Sequence, residues 1–318
     1  MQVSVIVVNY NGLRFLDAFF ASMQRAFEHH THELIVVDNA STDGSLEWLR
    51  RRRDIRLVEL ATNTGFTGGN QAGAAWARGQ VLVLLNNDTQ LTGPLDALVD
   101  AALDPQVGAV GCRLHHGDGR LQYSVGLEHT VPRLVLSWLG LEKRPGAPRL
   151  LRKFETDPAF YAQRHEQVAW VSGACLATRK SVWDRLGGLD PEFFMYCEDV
   201  DYGRRVRQLG LRVSYLPAPC VIHHEGGGKA WVGSRALRHT ARAYFLYTRK
   251  ASGTGAARGL SALLALVFAL RSLVFAGRAL ACRDVSRRAL HHDKAGGYGR
   301  ACAGLSRAAL SGRPPPLA

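Results

Sequence analysis

Val81–Thr89 reads VLVLLNNDT, and this stretch decides the fold. Five apolar residues run without a break, and the chain then turns sharply polar. An uninterrupted run of that length is the pattern of a strand buried on both faces, as in a parallel sheet. Asn86, Asn87 and Asp88 stand where such a strand leaves the sheet. Ligands of open α/β sheets bind at the carboxyl ends of the strands. A hard divalent cation takes oxygen ligands, commonly one or two carboxylates plus substrate phosphates. Asp88 supplies a carboxylate and Asn86 a neutral oxygen. A polar turn after a strand is the competing reading of this stretch taken alone.

The same grammar repeats on either side. Val3–Val8 is an apolar, β-branched run turned by Asn9-Tyr10-Asn11-Gly12. Leu13, Leu16, Phe19, Phe20 and Met23 then recur at helical spacing. Leu34–Val37 reads as a second strand, ending in DNASTDG, with Asp43 as a helix cap. Ile55–Leu60 reads as a third, followed by Asn63–Asn70, NTGFTGGN, a loop that opens a helix through Ala72–Arg78. Pro94 starts a further helix and Pro105 stops it. Strand–helix alternation at this spacing predicts an open, mostly parallel α/β sheet flanked by helices. Each strand ends in an Asn, Asp or Gly cluster, which suits a nucleotide or its diphosphate. Turn chemistry alone requires such residues at one or two of those places. The spacing is not GxGxxG, so the dinucleotide fingerprint is absent.

Residues 112–168 are irregular, and Val131–Leu141 reads as an amphipathic segment or a flap. Order resumes at AWVSGACLA (169–177). An acidic group, Glu198-Asp199-Val200-Asp201, heads a later helix. Acids in a first turn are favoured by the helix dipole, but three in four residues exceed what capping needs. Arg212–Leu216 reads as a strand. Val221-Ile222-His223-His224-Glu225 is a short strand with two histidines, either of which can complete a metal site with a carboxylate.

The 318 residues are 47% hydrophobic and 21% charged, an ordinary globular composition. The net charge of +13 is not spread evenly. Residues 1–228 carry 24 Lys+Arg against 25 Asp+Glu, and residues 229–318 carry 16 against 2. A neutral body with a basic tail is implied. In the tail, Tyr244, Phe245, Tyr247, Leu260, Leu263, Leu264, Val267, Val274 and Phe275 are interleaved with Arg and Lys. Leu260–Leu270 is uncharged but Arg271 interrupts it, short of the roughly 20 apolar residues of a spanning helix. Amphipathic helices on an anionic membrane surface are expected, with packing on the body as the alternative. No nucleic-acid motif accompanies the charge, so nucleic acid is not an expected partner. Arg313–Pro316 reads as a disordered end. Six scattered cysteines without CxxC spacing argue against a disulfide framework and for a reducing compartment. The first residues lack the pattern of a signal peptide.

Taken in order, VSVIVVNYNG, ELIVVDNASTDGS, NTGFTGGNQAG, VLVLLNNDT, VSGACLATRKSVWDRLGGLDPEFFMYCEDVDYGRRVRQLG and VIHHEGG resemble the family 2 inverting glycosyltransferases of GT-A fold. The similarity is greatest to the rhamnosyltransferase-like branch that builds cell-surface polysaccharides, and it spans about residues 2–230. The resemblance implies a catalytic domain over 1–230 and a basic helical region over 231–318. It implies a nucleotide-diphosphate-sugar donor, a divalent metal (Mg²⁺ or Mn²⁺), and a glycan or lipid-linked glycan acceptor, at the cytoplasmic face of the membrane. Asn9, Asn11, Asp38, Asn63, Gly65, Gly69, Asn70 and Asn86 then fall in the donor pocket. Asn86-Asn87-Asp88 takes the place of the family's DxD, with Asn where its first acid often stands. Asp88 is the expected metal ligand, with His223 or else His224. Asp199 takes the place of the catalytic base, Glu198 orients the acceptor, and Asp201 caps the helix. Trp170 and Gly173 are candidates for the sugar or acceptor cleft, a core Trp being the competing reading. Two rivals are a non-catalytic nucleotide-sugar or glycan-binding scaffold and a nucleotidyltransferase. A scaffold has no need of a base, and a nucleotidyltransferase wants a basic phosphate loop that NYNG (9–12) does not offer.

Overall fold

A computed structural model describes residues 1–140, 148–224 and 234–316. Leu141, Glu225–Gly227 of VIHHEGG and the expected boundary at 230/231 lie outside the described residues. The chain forms two compact units. The first holds residues 1–128, 154–194 and 198–226, and the second holds 129–153, 195–197 and 227–318.

The first unit is built on one mixed sheet. Strands β1 (Val3–Asn9), β2 (His32–Asp38), β3 (Arg56–Glu59) and β4 (Val81–Leu85) run parallel, in the order β3-β2-β1-β4. Helices α1 (Leu13–Met23), α2 (Ser45–Arg50) and α3 (Gly65–Ala74) make the crossovers. Then come β5 (Thr89–Leu91), α4 (Asp96–Leu103), β6 (Val107–His115), β7 (Leu121–Gln122) and β8 (Val125–Gly126). After α5 (Val131–Trp138) and α6 (Pro158–Tyr161) follow β9 (Trp170–Val171), β10 (Cys175–Arg179), α7 (Lys180–Leu186), α8 (Glu198–Gln208) and β11 (Arg212–His223). The sheet continues β4-β10-β6-β11-β5. Here β10 is antiparallel to both neighbours, β11 is parallel to β6, and β5 is antiparallel to β11. The sheet is therefore mixed, with its parallel half where the sequence shows the strand–helix alternation.

Side-chain alternation explains why the first strands are apolar throughout. Val3, Val5, Val7, Val81, Val83 and Leu85 pack with Leu16, Phe19 and Phe20 on one face. Ile6, Ile35, Leu82, Leu84 and Leu176 pack with Trp183 and Tyr202 on the other. A strand covered on both faces has no position left for a polar alternation.

Helix α3 begins at Gly65, several residues before the expected helix, so most of NTGFTGGN is helical rather than loop. Gly65 sits at φ +76, and a Cβ there would lie 2.1 Å from the carbonyl oxygen of Phe194. Gly69 presents its backbone to β1, where a Cβ would come within 2.6 Å of Val8 Cγ1. Asn70 is buried and donates to the Phe66 carbonyl at 2.9 Å. Gly69 thus serves helix–sheet contact, and Asn70 bonds within its own helix.

The second unit contains α5 and an antiparallel hairpin of α9 (Ser234–Ala281) and α10 (Val285–Ser311). Helix α9 is broken at Gly253, whose φ of 87 and ψ of 168 are not helical. Arg258 Nε donates to the Ala309 carbonyl, Arg271 Nη1 to Tyr298 Oη and Ser272 Oγ to the Ala295 carbonyl, which fixes the hairpin register. Trp138 meets Phe268 edge to face at 4.8 Å. Tyr244, Phe245, Tyr247, Leu260, Leu264 and Val267 are buried, so most of the apolar residues expected to face lipid are core instead. The outward stripe is Leu263, Leu266, Leu270, Leu273 and Leu280, spaced to share one helix face. Arg313–Pro316 is not a loose end: Pro315 is buried and its carbonyl accepts from Arg242 Nη1 at 3.1 Å.

Replacing Gly69 by Ala supplies up to about 1 kcal/mol of helix propensity. Overpacking against Val8 costs about 1–3 kcal/mol. The expected outcome is net destabilisation, read as a lower urea midpoint at unchanged slope. A gain in stability would show that the helix–sheet contact does not require glycine.

Candidate active site

The register of the sheet brings the candidate residues to one edge. Asn9 lies opposite Asp38 at the ends of β1 and β2. Leu85 lies opposite Cys175, and just beyond that pair the Asn86 N–H donates to the Ala174 carbonyl at 3.0 Å. Because β10 is antiparallel to β4, its beginning meets the end of β4. The next residue back, Gly173, donates its N–H to Asp199 Oδ2 at 3.2 Å. A Cβ at Gly173 would lie 3.2 Å from the Phe66 ring and 3.8 Å from Asp199 Cβ. The seam between β4 and β10 therefore carries Asn86 on one side and leads to Asp199 on the other.

Glu198 and Asp199 stand in the first turn of α8, Glu198 buried and Asp199 half-buried. Asp199 Oδ1 accepts the Val200 N–H at 2.8 Å. Burial pushes the Asp199 carboxyl up to about 6, against the lowering pull of its backbone N–H donors. Burial, and then the Asp199 charge, hold Glu198 well above the usual carboxylate range. Glu198 Oε2 has no hydrogen-bond partner among the described residues. A buried acid beside a half-buried one, with no cation among the described residues to pair them, is a costly arrangement for a purely structural site. Asp201 differs, since it pairs with Arg205 Nε at 2.6 Å.

A second cluster forms at the end of β11. The antiparallel register sets His223 opposite Thr89. His223 Nε2 then lies 3.3 Å from Asp88 Oδ1 and 3.1 Å from Asn86 Nδ2. Its Nδ1 lies 3.0 Å from Gln122 Oε1. Gln122 can only accept through that oxygen, so Nδ1 carries a proton and Nε2 faces Asp88 and Asn86. An imidazole lone pair and a carboxylate oxygen 3.3 Å apart repel unless a proton or cation lies between them. A carboxylate, an imidazole and, with the amide turned over, an amide oxygen make a donor set that suits a divalent cation. Among the described residues no group of three His, Cys, Asp or Glu side chains converges as a metal site. Any cation here must complete its shell from Asn86, substrate phosphate and water. His224 points elsewhere, with its ring stacked on Phe15 and against Gly117.

The remaining candidates divide by burial. Asn9 Nδ2 donates to Asp38 Oδ1, Ser45 Oγ and Ser41 Oγ, and its Oδ1 accepts from Asn87 at 2.7 Å. Asn9 and Asp38 are both wholly buried and brace the turns around them. Asn11 is exposed at φ 51, and its Oδ1 accepts the Thr42 N–H. Asn63 Oδ1 accepts the Gly65 N–H and Asn39 Nδ2. Trp170 does not line a cleft. It is interior, packed on Phe154 and Gly126, with Nε1 donating to the Leu127 carbonyl. Asn39 and Gln122 are site-shaping residues that the sequence reading passed over. Asn39 had a signal in DNASTDG, whereas Gln122, in the irregular stretch, had none.

An open sheet whose strand ends gather an acid pair, an Asn-Asn-Asp turn and a histidine is the GT-A architecture of sugar-transferring enzymes. Solved structures agree on the fold. A mannosyltransferase of Pyrobaculum calidifontis, in complex with GDP-mannose and Mn²⁺, superposes with a TM-score of 0.54 at 20% identity, covering 96% of this chain and 86% of that one. S. aureus TarS 1-349, in complex with UDP, gives 0.52 at 14% identity, covering 98% and 92%. Residues 4–182 match the model of glycosyl transferase family 2. An N-acetylglucosaminyl-diphospho-decaprenol L-rhamnosyltransferase of Mycobacterium tuberculosis is 32% identical over 269 residues, covering 77% of this chain and 84% of the relative. The rhamnosyltransferase WbbL of Escherichia coli is 35% identical over 80 residues, 25% of this chain and 30% of the relative. The chain belongs to glycosyl transferase family 2 and is a glycosyltransferase.

The raised Asp199 carboxyl has a consequence for stability. The folded state holds this proton up to about pH 6, whereas the unfolded chain releases it near the ordinary value of 3.8. The group therefore lowers stability progressively as pH rises between those values, and the full loss persists above them. Thermal midpoints of wild type and Asp199→Asn, measured from pH 4 to pH 8, should diverge, the wild type falling relative to the variant. Parallel curves would show that the carboxylate is not desolvated.

Proposed function

We propose that this enzyme moves a sugar, rhamnose being the leading candidate, from a nucleotide-diphosphate donor to a hydroxyl of a lipid-linked or cell-surface glycan, with inversion and with a divalent metal. The observation that carries the reading is the β4–β10 seam, along which the Asn86–Asp88 turn and the Asp199 carboxylate share one sheet edge. The sugar and acceptor class are argued from the 32%-identical relative, whose name states both a rhamnosyl group and a lipid-diphosphate acceptor.

The chemistry follows from the residues. Asp199 takes the proton of the acceptor hydroxyl as its oxygen attacks the anomeric carbon. The bond to the nucleoside diphosphate breaks on the opposite face, so one base suffices and the configuration inverts. A carboxyl near 6 is ionised at neutral pH yet basic enough to accept a proton in the transition state. Glu198 beside it, whose carboxyl burial raises well above the usual range, orients the acceptor. The Gly173 N–H fixes Asp199 Oδ2, which aims the carboxylate. Asp88 and His223, with Asn86, would hold a divalent cation, and that ion would neutralise charge on the departing diphosphate. Gln122 fixes the His223 tautomer that such binding needs. Asn11 and Asn63, like Asn86, are donor-side candidates that are not wholly buried.

We also place the enzyme at the cytoplasmic membrane face. Helix 235–281 contains an 18-residue window of mean hydropathy 2.1. By length and composition it could cross a membrane. Its apolar residues are instead split between a buried face and an exposed leucine stripe, which favours lying along the surface.

Asp199→Asn should lower sugar transfer at least about 10²-fold. Donor binding, read by calorimetry with Mn²⁺ present, should stay within a few-fold. Retained turnover would refute the base assignment. EDTA should abolish transfer and added Mn²⁺ restore it. Gln122→Leu should raise the Mn²⁺ concentration for half-maximal activity by about 10–100-fold. An unchanged requirement would remove Gln122 and His223 from the metal account.

A further inference from the structure

Phe66 stands in the first turn of α3, half-buried, and packs against the core face that holds Ile6, Leu84 and Leu176. Its Cε1 and Cζ lie 3.2 Å from the point that a Cβ on Gly173 would take, and Asp199 Cβ lies 3.8 Å from the same point. The ring and the Asp199 side chain therefore share the space that Gly173 leaves open. We propose that Phe66 is a positioning residue of sugar transfer: its ring backs the Gly173–Asp199 contact and shields that carboxylate from water. The inference rests on the reading of Asp199 as the base.

The backbone around Phe66 is braced on both sides. The Phe66 N–H donates to the Phe194 carbonyl at 2.9 Å, and the Phe66 carbonyl accepts Asn70 Nδ2 at 2.9 Å. The Gly65 N–H donates to Asn63 Oδ1 at 2.9 Å, and the Gly65 carbonyl accepts Asn39 Nδ2 at 2.9 Å. Gly65, at φ +76, lets the chain come close enough to Phe194 for the first of these bonds. Three asparagine side chains thus fix the backbone that carries one half-buried ring. A group that must aim a reacting atom needs support of this kind, because small displacements cost rate steeply.

The chemistry of the base gives the ring a second effect. An apolar surface beside a carboxylate excludes water and disfavours the charged form. Desolvation is the leading cause that pushes the Asp199 carboxyl up to about 6. From β10 Asp199 meets the Gly173 N–H, and from α3 it meets the ring, neither of them charged. Glu198, beside it on α8, is its titratable neighbour. The ring thus serves two demands at once, a fixed direction through Gly173 and a basicity above that of an ordinary aspartate.

Phe66→Ala, Phe66→Leu and Asp199→Asn, compared with the wild type from pH 4 to pH 8, test the inference. The wild-type kcat should fall on the acid side of an apparent pKa of about 6. In Phe66→Ala that limb should move toward the ordinary 3.8, as water reaches the carboxylate. The plateau above it should drop about 10–100-fold, the scale of a slightly misplaced reacting group, with the donor KM changed only a few-fold. Phe66→Leu, which keeps an apolar wall, should hold the limb in place and recover most of the plateau. A limb that stays put or moves up in Phe66→Ala overturns the inference, as does a leucine variant that behaves like the alanine one.

A second measurement needs no substrate. The thermal-midpoint gap between wild type and Asp199→Asn, which opens as pH rises, should be smaller between Phe66→Ala and Phe66→Ala/Asp199→Asn. Equal gaps in the two backgrounds overturn the shielding. Should Phe66→Ala fail to fold, Gly173→Ala replaces it, since the added Cβ presses on the ring. Gly173→Ala should lower kcat, and Phe66→Leu/Gly173→Ala, which clears the space, should exceed it. A double variant no faster than Gly173→Ala overturns the inference. Turnover retained in Asp199→Asn removes the base and the inference with it. Turnover lost there, with Phe66→Ala matching the wild type, removes Phe66 alone.

Discussion

The antiparallel pairing of β10 against the end of β4 is the constraint on which the catalytic unit depends. A purely parallel sheet would bring only the carboxyl ends of strands to this edge. One reversed strand brings the start of β10, and with it a backbone N–H that can reach a side chain on α8. The buried strand core makes the seam rigid. Leu85 and Cys175 are 2% and 1% exposed, so a one-residue slip would expel an apolar set from each face. Placement of Asp199 is thus set by the hydrophobic core and not by the site's own polar contacts.

That placement explains how an unfavourable electrostatic arrangement persists. Glu198 and Asp199 lose hydration together, and no cation among the described residues compensates them. Backbone donors at Gly173 and Val200 offset part of the loss at Asp199, while burial holds the Glu198 carboxyl well above the usual carboxylate range. Asp201, two positions on, meets Arg205 and shows what a stabilising acid in the same helix turn looks like. The contrast within one turn separates an acid that serves the fold from a pair that the fold must carry. The Asp88–His223 contact has the same character, because its geometry requires a proton or a cation to be favourable.

Much of the first unit was legible because two-sided burial leaves a plain mark on sequence. The runs at 3–8, 34–37 and 81–85 could be little else. The reversal of β10 was not legible, since a buried strand reads the same in either direction. Glycine clusters are ambiguous for a related reason. Gly69 in TGGN resembles a phosphate loop, yet it is glycine because a helix lies against Val8, and sequence does not distinguish a ligand's approach from a strand's. Trp170 gave no sign that Gly126, far away in the chain, had cleared space for its indole. Gln122 was invisible because its role exists only through a histidine that lies outside its local pattern. Motif order carried the family, whereas single-residue roles depend on contacts between distant segments.

The second unit was legible in composition and illegible in orientation. Excess charge and apolar spacing both pointed to a surface-seeking hairpin, but a helix packed in a bundle and a helix on a membrane both need one apolar face. Helix α9 has two such faces. Leu260, Leu264 and Phe268 face inward, and Leu263, Leu266 and Leu270 face outward. A helix that was apolar only to fill its own core would have no reason to keep the outer set. A helix meant to span would not need the arginines at 258, 271 and 278. Double amphipathicity with basic flanks is the composition expected of a helix that packs on protein from one side and on lipid from the other.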